Sequence, residues 1–400
     1  MSKHLADATA RQSITTDLTT TFIVEAGAGS GKTTNLVQRM VSLVSTGTCR
    51  IEHLAAITFT RKAAAELKSR FQIKLEKALR VATDATEHER LAYTLDNLHL
   101  AFLGTIHSFC SRLLRERPVE AGMTPDFDEI EGLDERLLQE RAWQEYLQKL
   151  RLENPKQLHD LADLDVRPED LKAAYLELCL YPDVCMVGEV APYPDLNEVR
   201  EELFGLIDFA APLMPADEPD KGWDALQAMV RKCRRWQRAF DLSEDKYLLR
   251  LLAQLDKKGS VTQNRWITKD GAKAAEQAFI EFREQHLQPA LQQWREHRHY
   301  PLLAFLLPAT EHYASLRQQE HKLNFQDLLM RTAALLRHNS EVRQYFGERF
   351  THLLVDEFQD TDPIQAEIMM LLTAEELTQT EWSRTTPRPG SLFVVGDPKQ

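Results

Sequence analysis

The sequence predicts an α/β fold, a parallel sheet in a doubly wound layer, interrupted by a large and mostly α-helical insertion. Three observations predict it. Short apolar runs cluster near both ends of the chain, helical patterns follow several of them, and a glycine-rich turn joins the first run to the first helix. The runs are Phe22–Val24, Leu54–Phe59 and Phe102–Ile106, then Leu353–Val355 and Leu392–Val395. Each is nearly continuous in hydrophobicity and ends at polar or glycine residues, the pattern of strands covered on both faces. Helical periodicity follows at Arg61–Val81, Ser108–Arg117 and Pro363–Leu372. Such alternation places ligands at the carboxyl ends of the strands.

Between the clusters, Pro118 to Leu323 reads as almost wholly helical. Apolar residues recur at helical spacing in Arg136–Leu150, Glu198–Ile207, Trp223–Phe240, Ala272–Leu287 and Tyr313–His321. Breaks fall around Pro182, Pro192, Pro215, Pro219 and Gly259. The expected organisation is an α/β part over 1–117, a helical insertion over 118–323, and the second α/β part over 324–400.

A chain of 400 residues with 43% hydrophobic content has room for two or three ordinary domains. No apolar run approaches a membrane span, and Met1–Thr21 lacks a secretory core, so a cytoplasmic protein without a membrane partner is expected. The five cysteines are scattered without CxxC spacing, which supports neither a disulfide framework nor a zinc site. A net charge of −12 argues against coating nucleic acid by bulk electrostatics, while leaving room for a local basic track.

Two constellations carry chemistry. The first is Ala26-Gly27-Ala28-Gly29-Ser30-Gly31-Lys32-Thr33, between an apolar run and an amphipathic stretch that begins at Thr34. Backbone N–H groups of such a loop wrap phosphates, and the helix N-terminus adds a favourable dipole. Lys32 would reach the β- and γ-phosphates, and the Thr33 hydroxyl would ligate Mg²⁺. The strict pattern begins with Gly, where this chain has Ala26. The second is Leu353-Leu354-Val355-Asp356-Glu357, an apolar strand ending in adjacent carboxylates. Asp356 can share the Mg²⁺ with Thr33, and Glu357 can polarise the water that attacks the γ-phosphorus of ATP.

Five stretches occur in one order: Ala26–Thr33, then Ile57-Thr58-Phe59-Thr60-Arg61-Lys62-Ala63-Ala64, then Gly104-Thr105-Ile106-His107-Ser108-Phe109. Val355-Asp356-Glu357-Phe358-Gln359-Asp360-Thr361 and Val395-Gly396-Asp397-Pro398-Lys399-Gln400 complete the series. Together they resemble motifs I, Ia, Ib, II and III of the superfamily 1A DNA helicases, the UvrD/Rep group. The Asp-Glu-Phe-Gln-Asp-Thr-Asp-Pro wording and the Asn324-Phe325-Gln326-Asp327-Leu328-Leu329 run look more like the AddA/RecB branch of helicase–nucleases.

The resemblance implies a RecA-like P-loop NTPase core (domain 1A) holding ATP and Mg²⁺, with a 1B-like helical insertion, in a helicase or translocase acting on single-stranded DNA in repair or recombination. It implies that Gln12 reads the adenine edge and that Gln400 senses the γ-phosphate. It gives Phe59, Thr60, Thr105 and His107 contacts to single-stranded DNA, with Arg61 beside them, and has Gln359 couple nucleotide state to DNA. Thr34 stands where relatives often carry Arg. The chain is expected to stop inside motif III, ahead of a second RecA-like domain whose arginines are worth roughly 10³–10⁵ in rate in related enzymes. A nuclease partner is expected too.

Basic residues line the stretch after Phe59 and flank Trp236, at Arg231, Lys232, Arg234, Arg235 and Arg238. Either group suits a DNA backbone or a solvated helix face. Two other classes fit the phosphate loop and carboxylates equally well: a P-loop ATPase acting on protein partners, and a nucleotide-gated scaffold in a repair complex.

Overall fold

The computed structural model describes residues 7–27 and 29–399. In the first α/β part the order is α1 (Ala8–Thr16), β1 (Phe22–Glu25), α2 (Lys32–Thr46), β2 (Leu54–Thr58), α3 (Arg61–Val81), α4 (Ala85–Asp96), β3 (Phe102–Thr105) and α5 (Ile106–Glu116). Next come β4 (Asp128–Glu129), α6 (Leu133–Glu153), α7 (Pro155–Asp163), α8 (Pro168–Leu178), α9 (Asn197–Ala210) and α10 (Ala225–Ala239). The series continues with α11 (Asp245–Leu255), α12 (Lys269–Phe282) and α13 (Gln288–Gln319). The last part holds β5 (Lys322–Leu323), α14 (Phe325–His338), α15 (Ser340–Arg349), β6 (His352–Val355), α16 (Pro363–Thr373) and β7 (Leu392–Gly396).

Five strands form one parallel sheet in the order β1-β7-β6-β2-β3. The register pairs Phe22 with Phe393, Leu354 with Phe393, Ala55 with Leu353, and Thr58 with Thr105. The carboxyl ends of all five strands therefore share one edge. Strand alternation feeds two cores. Leu54, Ala56, Leu354, Phe393 and Val395 join Leu36, Met40 and Phe71 on one face. Ala55, Ile57, Leu353, Val355 and Val394 join Phe109, Leu328 and Phe346 on the other.

The expectation of burial on both faces fails at β1. There Phe22 and Val24 pack on the first core, while Ile23 is 75% exposed. As an edge strand, β1 has a helix layer on one face only. The strands also end earlier than the apolar runs: Phe59 lies beyond β2 and Ile106 begins α5.

Contacts divide the chain at 135/136 and 316/317 into an α/β unit and a helical unit. Residues 118–135 and 317–323, expected in the insertion, group with the α/β unit, where β4 pairs with β5. The helical unit has α7, α8 and α11 beyond the expected helices, and the Tyr313–His321 pattern is the tail of the long α13. Pro301 and Pro308 lie inside α13 and break its pattern in the sequence. Its cores gather Leu203, Leu248, Leu252, Leu287 and Trp294, and separately Leu226, Val230, Trp266 and Phe279. No helix among the described residues is long and apolar enough to cross a membrane.

Arg39 of α2 fixes α1 to the sheet. Its fully buried guanidinium donates to the carbonyls of Ile14 (2.8 Å), Asp17 (2.8 Å) and Thr20 (3.1 Å). It also lies over the rings of Phe22 and Phe393, 5.2 and 4.9 Å from their centroids. Burial pushes its pKa down to about 10, which still leaves it charged at neutral pH. Replacing Arg39 with Met would strand three carbonyls without a donor. We expect a loss of about 3 kcal/mol, read as a lower urea midpoint; an unchanged midpoint would contradict this role.

Candidate nucleotide site and the adjacent sheet edge

The loop after β1 owes its path to glycine. Gly29 and Gly31 hold φ of +74° and +90°, a region that side chains with a Cβ rarely adopt. Ala26 is not among the described non-glycine residues of positive φ, so the departure from the strict pattern costs no strain there. Its N–H donates to the Gly396 carbonyl (3.0 Å), which ties the loop to the end of β7. Ala28 lies outside the described residues. Gly31 opens α2 without a side-chain cap, leaving the first-turn amides available to an anion.

Two residues of α2 meet the end of β6. Lys32, 8% exposed, donates from Nζ to Glu357 Oε2 at 3.0 Å, and the Thr33 hydroxyl donates to Asp356 Oδ2 at 3.0 Å. The parallel register brings together residues more than 300 positions apart. Glu357 adopts a left-handed backbone, φ 56° and ψ 47°, which turns the chain directly after β6. Gln359 then bridges: its amide N–H₂ donates to Glu357 Oε2 (2.8 Å), and its Oε1 accepts from the N–H of buried Asp397 (2.8 Å). A Cβ at Gly396 would lie 3.1 Å from that Oε1, so glycine permits the close approach.

The two carboxylates are held differently. Burial raises the pKa of Asp356 above its ordinary value, with the Thr33 hydroxyl opposing and Glu357 adding to the rise. The bond from Gln359, foremost, and that from Lys32 hold Glu357 below its ordinary value against partial burial. Glu357 is thus the carboxylate favoured to stay ionised.

The other expected site residues are placed as follows. Gln12 is exposed on α1, and its neighbour Arg11 donates to the Ser30 carbonyl of the loop at 2.7 Å. Thr34 is exposed in the first turn of α2. Gln400 lies outside the described residues. Phe59, 53% exposed, stands just past β2. Thr60 caps α3 by accepting from Ala63 N–H, and Arg61 pairs with Glu131 at 3.2 Å. Thr105 caps α5 in a reciprocal pair with Ser108. Both threonines therefore have a local structural job.

His107 lies beside a ring that the motifs alone do not single out. Phe325 packs against it with centroids 4.6 Å apart. Asn324 and Asp327 bond reciprocally at the start of α14, and Arg317, 4% exposed, grips Asp327 at 2.7 and 2.9 Å. The Asn-Phe-Gln-Asp run is thus a helix cap that presents its aromatic residue. A ring directly after an Asn cap in a polar run was the signal. Burial holds the His107 pKa below its ordinary value, opposed by Asp362 and Glu129, so the ring is neutral near pH 7.

The residues fit a nucleotide with its cation. Ser30 Oγ is buried without a partner among the described residues, and a Cβ at Gly27 or Gly29 would meet nothing within 4 Å. Open space therefore lies over the loop, beside a lysine and a hydroxyl–carboxylate pair. A parallel sheet with these groups at its carboxyl edge is the core of a P-loop NTPase of RecA-like fold. The comparisons go further: the profile of the UvrD/REP helicase N-terminal domain matches residues 6–400, and the chain belongs to that family.

Three relatives are AddA proteins of the ATP-dependent helicase/nuclease. The chain is 24% identical to the one from Ligilactobacillus salivarius (strain UCC118), over 98% of this chain and 34% of that protein. It is 26% identical to the one from Enterococcus faecalis (strain ATCC 700802 / V583), covering 95% and 33%. Against that from Bacillus pumilus (strain SAFR-032) it is 26% identical, covering 95% and 34%. The chain thus spans about a third of the length of these relatives. The helicase superfamily and the helicase–nuclease branch named from the motifs are the ones found.

The raised pKa of Asp356 makes a stability prediction. A carboxyl whose folded pKa exceeds its unfolded one favours folding when protonated, and that contribution is lost as pH rises through the folded value. Asp356→Asn keeps an acceptor for Thr33 and removes the buried charge. In metal-free buffer at pH 7 it should stabilise the protein by about 0.5–2 kcal/mol, with the gain gone below about pH 4. A variant destabilised at pH 7 in thermal unfolding would contradict this assignment of the charge.

Proposed function

We propose that this chain is the ATP-binding part of a longer ATP-dependent DNA helicase or translocase that moves on single-stranded DNA in repair or recombination. The observation that carries it is the meeting of Lys32 with Glu357 and of Thr33 with Asp356 at one end of the sheet. The α/β unit is the nucleotide-binding domain 1A and the helical unit its 1B-like insertion. The arginines that complete catalysis would come from a second RecA-like domain, and a nuclease would be the working partner.

The loop amides and the uncapped N-terminus of α2 would bind the phosphates of ATP. Thr33 and Asp356 would hold Mg²⁺, which when bound neutralises charge on the β- and γ-phosphates. Entering phosphates compete for the Lys32 ammonium, whose departure would leave Glu357 Oε2 with the Gln359 bond alone. Glu357, still held by Gln359, then orients a water and takes its proton. Because Gln359 also holds the Asp397 N–H, the change would reach Asp397, directly after β7 and three residues before Gln400. Gln12 would face the adenine from α1.

Single-stranded DNA would run along the same sheet edge. Phe59 offers a half-exposed ring past β2, and the His107–Phe325 pair offers another past β3. Rings stack on any base without sequence preference, which suits a translocase. An ATPase acting only on protein would leave these rings without a role.

In the longer protein, Glu357→Gln should bind a fluorescent ATP analogue nearly as well as wild type while DNA-stimulated hydrolysis falls by roughly 10²–10⁴. Unimpaired turnover would rule out Glu357 as the base. Phe59→Ala should weaken single-strand binding by about 1–3 kcal/mol in fluorescence anisotropy, with nucleotide affinity unchanged. Undiminished strand affinity would remove DNA from that edge.

A further inference from the structure

Arg11 of α1 belongs to none of the five motif stretches, yet its guanidinium lies against the phosphate loop. Its Nη2 donates to the Ser30 carbonyl at 2.7 Å, and its Nε donates to Asp7, one helical turn earlier, at 2.8 Å. A Cβ at Gly31 would meet two atoms within 4 Å: Arg11 Nη1 at 3.4 Å and the Thr34 Cβ at 3.9 Å. The guanidinium therefore stands at the start of α2, beside the side chain of residue 34. Because the buried Arg39 holds the far end of α1, Arg11 is presented from a fixed helix.

The stretch from Ala26 to Thr34 has one cation of its own, Lys32, and that ammonium is engaged by Glu357. Residue 34, where the motif resemblance would put an arginine, is an exposed threonine. Arg11 brings a guanidinium to that neighbourhood from a different element. A side chain that only tied α1 to the loop would need the Ser30 bond and nothing more. Among the described residues, Nη1 has no acceptor and no aromatic ring lies over the Arg11 guanidinium. Arg39, by contrast, spends its guanidinium on the rings of Phe22 and Phe393. The Arg11 side chain keeps 28% of its surface exposed.

We infer that Arg11 is a nucleotide-binding residue whose guanidinium plane stacks on the purine ring of ATP, an inference that rests on the ATP-binding reading above. The occupied donors decide for the base over the phosphates. A guanidinium grips phosphate best through two parallel N–H groups on one edge. Both two-nitrogen edges of Arg11 include Nη2, which already serves Asp7 and Ser30. The flat faces remain, and guanidinium planes stack on aromatic rings. Position agrees with this division. Lys32 and Thr33 face the carboxylates after β6, whereas Arg11 comes from α1, next to Gln12, the residue proposed to face the adenine.

The test titrates a non-hydrolysable ATP analogue and inorganic tripolyphosphate, each with Mg²⁺, into wild type, Arg11→Ala and the double variant Arg11→Ala/Thr34→Arg. Tripolyphosphate keeps the phosphates and lacks the base. Arg11→Ala, melting like wild type, should bind the ATP analogue roughly three- to thirtyfold more weakly, the range of a cation–π contact, and tripolyphosphate as tightly as wild type does. The double variant should recover most of the lost affinity, because an arginine at 34 starts beside the space that Arg11 leaves. A purely structural tie between α1 and the loop would weaken both ligands alike. Equal losses on the two ligands, unchanged affinity for the analogue, or a loss that Thr34→Arg leaves unrepaired would each overturn the inference. Wild type that binds tripolyphosphate as tightly as the analogue would overturn it too and leave the phosphate site standing, whereas wild type that binds neither would sink the proposed function with it.

Discussion

The bond between the Lys32 ammonium and the Glu357 carboxylate is the interaction on which the rest of the site depends. It exists because β1 and β6 are both parallel neighbours of β7 in fixed register, so the turns that follow them open at the same edge. A lysine this buried needs a carboxylate or a phosphate beside it, since an unpaired charge out of water is costly. Under the proposed function the ammonium would exchange Glu357 for the triphosphate. Gln359 donates to the same carboxylate oxygen and links it to Asp397.

The same edge shows how structural and functional demands share residues. Thr60 and Thr105, which the motif resemblance would assign to DNA, cap α3 and α5 with their side chains. Capping fixes the first turns of both helices, and so fixes where Phe59 and His107 stand. Asn324, Asp327 and Arg317 do likewise for Phe325. The rings that would meet bases are thus set on rigid element ends rather than on long loops.

Much of this was legible in the sequence, for physical reasons that differ by region. Short apolar runs, a glycine-rich turn and carboxylates at a strand end are local signals, and they pointed to the loop after β1 and to Asp356-Glu357, which the structure brings to one sheet edge. The one-sided burial of β1 was not legible, because an edge strand covered on one face reads like a central one when it is only four residues long. The helical unit was the least legible. Its prolines lie inside α13 as well as between helices, so a proline in this region does not mark a helix boundary. The role of Arg39 comes from partners distant in sequence, which no local pattern reveals.

The central claim is that Lys32 and Asp356 serve a single triphosphate pocket. Calorimetric titration of a non-hydrolysable ATP analogue with Mg²⁺ into Lys32→Met, Asp356→Asn and the double variant tests it directly. The account predicts that each single variant binds more weakly, and that the combined loss differs from the sum of the two by more than about 0.5 kcal/mol. Unchanged affinity in either single variant, or strictly additive losses, would contradict it.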